Sequence, residues 1–240
     1  MDHAVDGPML AGTRLFAGLN AAALNDVAAA AHRVRCRSGE ILFNQDDTAE
    51  AFYVLITGRM KIAQLTVEGH QVMLRYIGPH EVFGAVPLFT NTGYPASASA
   101  VSDSLAARWG VGTIRPLLDR YPRILANALA IVGQRLQELQ HRYRELATER
   151  VEQRIARAVL RLLAKAGRRA DAGIQIAFPL SRQDIAEMTG TTLHTVSRIL
   201  SDWENRGLVE SGRMRVIIRD PTGLTMIADD LHRTGLTVNS

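Results

Sequence analysis

The chain of 240 residues contains one cysteine, Cys36. A disulfide within the chain is therefore excluded, which suits a reducing, cytoplasmic location. A cysteine-ligated iron–sulfur cluster within one subunit is excluded too, because such clusters need several thiolates. No uncharged apolar run reaches the length of a membrane span, so no membrane partner is expected. The opening residues, M-D-H-A-V-D-G-P, are acidic and polar and unlike a signal peptide. A metal-binding His-x-x-x-His, a phosphate loop and a nucleophile motif are all missing, and the residues specify no metal. His194 and Ser197 can approach each other at i and i+3 on a helix, but no acid or oxyanion hole accompanies them. The sequence therefore points away from an enzyme, and no catalytic residue is assigned.

Hydrophobic residues make up 47% of the chain, enough for packed cores, and the length suits two modest domains. The formal charge of +4 fits a nucleic-acid partner without requiring one. Basic residues crowd the region before the most informative stretch: Arg150, Arg154, Arg157, Arg161, Lys165, Arg168 and Arg169. That run reads equally well as a solvated helix face.

Residues 181–206, S-R-Q-D-I-A-E-M-T-G-T-T-L-H-T-V-S-R-I-L-S-D-W-E-N-R, read as helix, turn and helix. Ser181 can cap the first helix, with Asp184 as its reciprocal partner. Ile185 and Met188 form its inward face, and Gly190 supplies the permissive turn. Thr192 can cap the second helix. Val196, Ile199, Leu200 and Trp203 then form a buried stripe at helical period. His194, Ser197, Arg198 and Ser201 share a second face of planar or short hydrogen-bonding groups. Arginine can bond two guanine acceptors at once, and Ser and His can meet single base edges. Two apolar runs, Leu208–Glu210 and Met214–Ile218, follow around Ser211-Gly212-Arg213. They read as a β-hairpin wing whose tip carries Arg213 and Arg215, suited to phosphate.

Residues 1–12 read as a loose, flexible tail. Residues 13–121 hold an Ala-rich helix capped by Asn20 and running to about His32. Short β-rich runs between Gly turns follow: 41–43, 51–57, 61–67, 71–77, 97–101 and 105–109. Their even spacing predicts a barrel or jelly roll. A short helix over 115–121 ends before Pro122. Residues 122–149 form a long helix. On it Leu125, Leu129, Val132, Leu136, Leu139, Tyr143 and Leu146 repeat with strict 4-3 spacing. A seam of period 3.5 points to a parallel coiled coil between two subunits, and so to a homodimer. The remainder, 150–240, holds a supporting helix over 151–166, a polar loop over 168–172 and the helix-turn-helix with its wing. A last helix, capped by Asp220, ends near Leu231.

These residues resemble the bacterial Crp–Fnr superfamily of transcription regulators over about 13–228. The carriers are Ser38-Gly39-Glu40-Ile41-Leu42-Phe43, then Phe52 to Lys61, Phe83-Gly84 and Leu88-Phe89. In the second domain they are Ser181 to Ala186 and Thr195-Val196-Ser197-Arg198-Ile199-Leu200. The resemblance implies an α+β fold. Its parts are an N-terminal cyclic-nucleotide-binding-like β-roll (jelly roll), a long dimerisation helix and a C-terminal winged helix-turn-helix. Family members that bind cyclic AMP carry Gly-Glu and, further on, Arg-Ser. Here Gly84 precedes Ala85, and Pro95-Ala96-Ser97-Ala98 stands at the second place. A phosphate buried without its charge partner is costly, which argues against cyclic AMP. The string around His194, Ser197 and Arg198 resembles the NnrR branch, nitric-oxide-responsive regulators of denitrification.

That resemblance implies a DNA-binding activator that reads a palindromic TTG–CAA site as a homodimer and is expected to contact RNA polymerase. Arg198 would bond the guanine, with Ser197 and His194 on neighbouring positions. Ser181, Arg182, Gln183, Thr192, Ser201 and Arg213 would meet phosphates or support those contacts. Haem is a candidate cofactor for nitric oxide sensing. His70, His80 and Cys36 are the candidate effector residues, and the arginines beside Cys36 would lower its pKa if it were exposed. Two other readings remain open: a regulator of this family answering another redox or metabolite signal, and an interaction module that keeps the fold without binding DNA.

Overall fold

Strand β3 (Ala51–Thr57) opens with five buried residues in a row. Successive side chains on a strand face opposite ways, so such a run must be covered on both sides. Ala51, Tyr53 and Leu55 enter one core with Cys36, Phe43, Met60, Ile77 and Phe83. Phe52 and Val54 enter a second core with Leu10, Phe16, Val27, Trp109, Ile114 and Ile124. One strand thus divides a core between two sheets from a core between sheet and helices.

The computed structural model describes residues 4–85 and 92–230. The chain divides into two compact units, Met1–Glu138 and Leu139–Ser240. The first unit begins with α1 (Gly7–Leu10), a 3-10 turn (Arg14–Phe16) and α2 (Ala21–Ala29). Strands β1 (His32–Cys36), β2 (Ile41–Phe43), β3, β4 (Met60–Leu65), β5 (Gln71–Ile77), β6 (Val82–Phe83), β7 (Ser97–Ala100) and β8 (Ser104–Gly110) follow. Two four-stranded sheets, ordered β1-β8-β3-β6 and β2-β7-β4-β5, build the roll. Buried Trp109 stacks on Phe52 at 5.0 Å and donates its indole N–H to the Val27 carbonyl at 2.8 Å. Helix α3 (Val111–Arg120) leads to α4 (Arg123–Thr148), within which the boundary between the units falls.

The second unit continues with α5 (Val151–Ala166), β9 (Gly167–Ala170), β10 (Gly173–Ile176), α6 (Arg182–Thr189) and α7 (Leu193–Asn205). It ends with β11 (Val209–Gly212), β12 (Arg215–Ile218) and α8 (Pro221–Ala228). Its sheet is ordered β11-β12-β10-β9. Ile155, Val159, Val196, Leu200 and Trp203 are fully buried. Arg161 Nη1 donates to both oxygens of Glu145, at 2.6 and 2.9 Å, and so ties the end of α4 to α5.

Several expectations change. Within the segment read as a tail, Asp6 caps α1, and Val5 and Leu10 are buried. The polar loop over 168–172 is mostly hairpin: β9 pairs with β10, Arg169 opposite Ile174 and Arg168 opposite Gln175. Exposed arginines hid this strand: it lies at the sheet edge, and Gly167, Arg168 and Arg169 are all exposed. Helix α3 begins four residues earlier than read and contains Pro116. The last helix stops at Ala228, while Leu231 and the carriers Leu88-Phe89 lie outside the described residues. No helix among the described residues is long and apolar enough to cross a membrane.

Leu200 is fully buried. Leu200→Ala should cost about 2–5 kcal/mol of stability, read as a lower urea midpoint for the second unit.

Candidate DNA interface and sensor pocket

The second unit positions α7 through local rules. Ser181 Oγ accepts from the Asp184 amide at 3.0 Å, and Asp184 Oδ2 accepts from the Ser181 amide at 3.0 Å. Gly190 closes α6 at φ 61, ψ 47, the left-handed region that favours glycine. Thr192 Oγ1 then caps α7 by accepting from the Thr195 amide at 3.2 Å. Val196, Leu200 and Trp203 face the core, and Trp203 donates its indole N–H to Glu152 at 2.9 Å. His194, Arg198 and Ser201 lie exposed on the other side, and Ser197 is half-buried at its edge. Arg198 has no hydrogen-bond or ion-pair partner among the described residues.

The wing is held close to this face. Ser211 donates from its amide and its hydroxyl to Glu204 Oε1, both at 2.7 Å, and accepts from Arg182 at 2.9 Å. A shallow hollow of about 400 Å³ results, lined by Ser181, Arg182, Gln183, Leu193, Gly212 and Arg213. Glu204 and Ser211 escaped the sequence reading because only the folded hairpin brings them together. The two arginines assigned to the wing tip also part company. Arg213 is exposed and unpaired among the described residues, whereas Arg215 and Arg219 each reach Glu210 at 2.7 Å. Gln183 is tethered to Glu187 at 3.0 Å.

In the first unit, a cavity of about 330 Å³ opens between the roll and α4, against Ile131, Val132 and Arg135. Its wall is aromatic: Phe43 stacks on Tyr94 at 3.9 Å and on Tyr53 at 5.6 Å. The Tyr94 hydroxyl turns away and donates to the Ala51 carbonyl at 2.6 Å. Burial, then the neighbouring Tyr53, pushes that hydroxyl's pKa far up, so it stays protonated. Gly84 sits at φ +64, and a Cβ there would come within 3.2 Å of both Phe43 and Tyr53. Ala85, Pro95 and Ala96 complete the same wall, so no phosphate partner stands at those three positions. Its only charged described residues are Arg75 and Arg135.

Residues 33–121 match the cyclic nucleotide-binding domain, and residues 153–227 match the Crp-like helix-turn-helix domain. The chain is a Crp–Fnr superfamily regulator. A cyclic AMP receptor protein of Thermus thermophilus is 29% identical over 190 residues, spanning 79% of this chain and 85% of the relative. The nitrogen fixation regulation protein FixK of Azorhizobium caulinodans is also 29% identical, over 80% of this chain and 76% of its own. The solved structure of the c-di-GMP responsive regulator CLP of Xanthomonas campestris matches with a TM-score of 0.73 at 24% identity, covering 83% and 99% of the two chains. This likeness shows the fold. Crp–Fnr regulators of this helix-turn-helix type bind DNA, act as dimers and are not enzymes.

For a Crp–Fnr chain, the expected effector residues fall outside the cavity. His70 is exposed at the β4–β5 turn. His80, at φ 64, packs its ring against Gly12, and its Nδ1 is buried without a partner among the described residues. Cys36 reverses its expectation. Strand alternation turns Arg35 and Arg37 outward and the thiol into the core, where desolvation, then the charge of Glu40, raises its pKa. Among the described residues no three His, Cys, Asp or Glu side chains group as a metal site. The described lining of the cavity offers no imidazole or thiol to a haem iron.

Glu210 is held below its ordinary value of 4.5, first by the hydrogen bond from Arg219, which with the charges of Arg215 and Arg219 outweighs desolvation. A depressed native pKa gives stability that is full above the unfolded value and lost as pH falls through the native one. Amide exchange in Ser211–Arg215 should therefore quicken on acidification below pH 4.5. Glu210→Gln should remove that acid dependence.

Proposed function

We propose that the chain is a homodimeric transcription activator that reads a palindromic DNA site with TTG and CAA half-sites. Two copies of α7 would enter successive major grooves about one helical turn apart. One observation carries this reading. Helix α7 buries Val196, Leu200 and Trp203 and leaves His194, Arg198 and Ser201 open beside an unpaired Arg213. Arg198 bonds the guanine, Ser197 a neighbouring base edge or methyl, and His194 an outer position. Ser181, Arg182, Gln183, Thr192, Ser201 and Arg213 supply phosphate or supporting contacts.

The dimer reading rests on α4. Leu125, Leu129, Val132, Leu136, Leu139, Tyr143 and Leu146 are 43–75% exposed in one chain. Covering such side chains contributes roughly 1.5–3 kcal/mol each before entropy is counted. An activator on such a site also meets RNA polymerase.

Target genes and signal rest on different parts of the molecule. The α7 string resembles the NnrR branch and supports control of nitrite and nitric oxide reductase genes in answer to nitric oxide. A second reading, favoured by the apolar cavity whose described lining holds no haem ligand, is a metabolite signal other than cyclic AMP. Footprinting under anaerobic conditions, with and without nitric oxide, separates them: protection that ignores nitric oxide sinks the first.

Arg198→Ala should cost about 1–3 kcal/mol on a TTG–CAA duplex and relax the preference for guanine. Arg213→Ala should weaken all duplexes alike and flatten the salt dependence in mobility-shift titrations. Unchanged guanine preference in Arg198→Ala would remove α7 from base reading.

A further inference from the structure

We propose that the cavity of the first unit takes a small apolar carboxylic acid, whose carboxylate displaces Glu81 from Arg75 and Arg135. The inference rests on reading this roll as the effector domain of the regulator. About 330 Å³ lies at the lower end of ligand cavities, commonly about 300–1,000 Å³, and the wall is aromatic and aliphatic. Such a space rewards an apolar body, and its described lining gives a sugar little to bond beyond two guanidiniums. The charged corner is specific in another way. Arg75 comes from β5, Arg135 from α4 and Glu81 from the segment before β6. Both guanidiniums meet the same oxygen, Glu81 Oε2, at 3.3 and 3.1 Å. Well-formed charge-assisted N–H···O bonds are about 2.7–2.9 Å, so one oxygen serves both donors loosely.

A third guanidinium, Arg59, feels Glu81 as well. Burial lowers its pKa, and the charge of Glu81 partly restores it. Three cations thus surround one carboxylate, and the helical partner Glu138 takes up one of them, at 2.8 Å from Arg135. The corner already accepts a carboxylate, so exchanging one for another keeps its charges paired. Glu81 is part-exposed and can turn to water once released. Arg135 and Val132 lie on α4, and Val132 belongs to the exposed seam. Occupancy of the cavity is therefore felt directly by that helix.

Calorimetric titration of the full-length protein with 3-phenylpropionate and octanoate, each against its primary amide, tests this. The acids should bind about tenfold or more tightly than the amides, because only they bring a negative charge to the guanidiniums. Glu81→Gln removes the competing carboxylate and should tighten the acids while leaving the amides unchanged. Arg135→Met removes one of the two guanidiniums and should narrow the gap between each acid and its amide. Equal binding of acid and amide, no binding of either acid, or weaker acid binding in Glu81→Gln overturns the inference, as does saturation of the cavity by cyclic AMP instead. The wild-type comparison needs no variant to fold. Mobility shift of a TTG–CAA duplex by the same preparation keeps the two readings apart. Retained DNA binding without acid discrimination sinks only the ligand, whereas acid binding without DNA binding sinks the regulator.

Discussion

The seating of α7 governs everything the second unit can present to a partner. Trp203, Leu200 and Val196 are fully buried, and the Trp203 indole is satisfied by Glu152 of α5. A helix has one period, so anchoring these three decides which residues are left outside. His194, Arg198 and Ser201 are exposed because their neighbours are not. The wing depends on the same seating. Glu204, on the last turn of α7, accepts twice from Ser211, which in turn holds Arg182 at the start of α6. Three elements meet through one carboxylate, and the hollow between them is the imprint of that arrangement.

The first unit follows a comparable logic with different materials. Covering β3 on both faces produces two apolar cores, and the aromatic part of one becomes the cavity wall. At the cavity wall the polar groups of Tyr94, Arg75 and Arg135 are paired. Tyr94 turns its hydroxyl to a backbone carbonyl, and the two arginines share Glu81. The cyclic nucleotide-binding roll is retained, while Ala85, Pro95 and Ala96 line its cavity and offer no charge to a phosphate. The relatives named for cyclic AMP and for nitrogen fixation therefore share this architecture without dictating its ligand.

Much of the architecture was legible from periodicity and caps. Strands β2, β3 and β5 and helix α5 stand where the pattern put them, and Ser181, Gly190 and Thr192 bound their helices as read. These features are local: a cap bonds an amide three residues away. Misreadings came where a distant element intervenes. The arginines beside Cys36 suggested a reactive thiol, but strand alternation sends them and the sulfur to opposite faces. Arg215 looked as free as Arg213 until Glu210, across the hairpin, captured it. The edge strand β9 carries two exposed arginines and no apolar alternation, so nothing in its composition announced a strand.

By itself, the sequence determined the order of elements, the apolar faces of α4, α5 and α7, and the absence of the thiolates that a cluster would need. Those properties depend on residue type and spacing, which folding does not alter. Only the tertiary structure decided which polar groups are spoken for. Glu81 joins arginines 6 and 54 residues away, and Glu204 holds a serine 7 residues on and, through it, Arg182. Such partnerships depend on how strands and helices are packed, because a charge is quenched or left open by whatever the fold brings within a few ångströms of it.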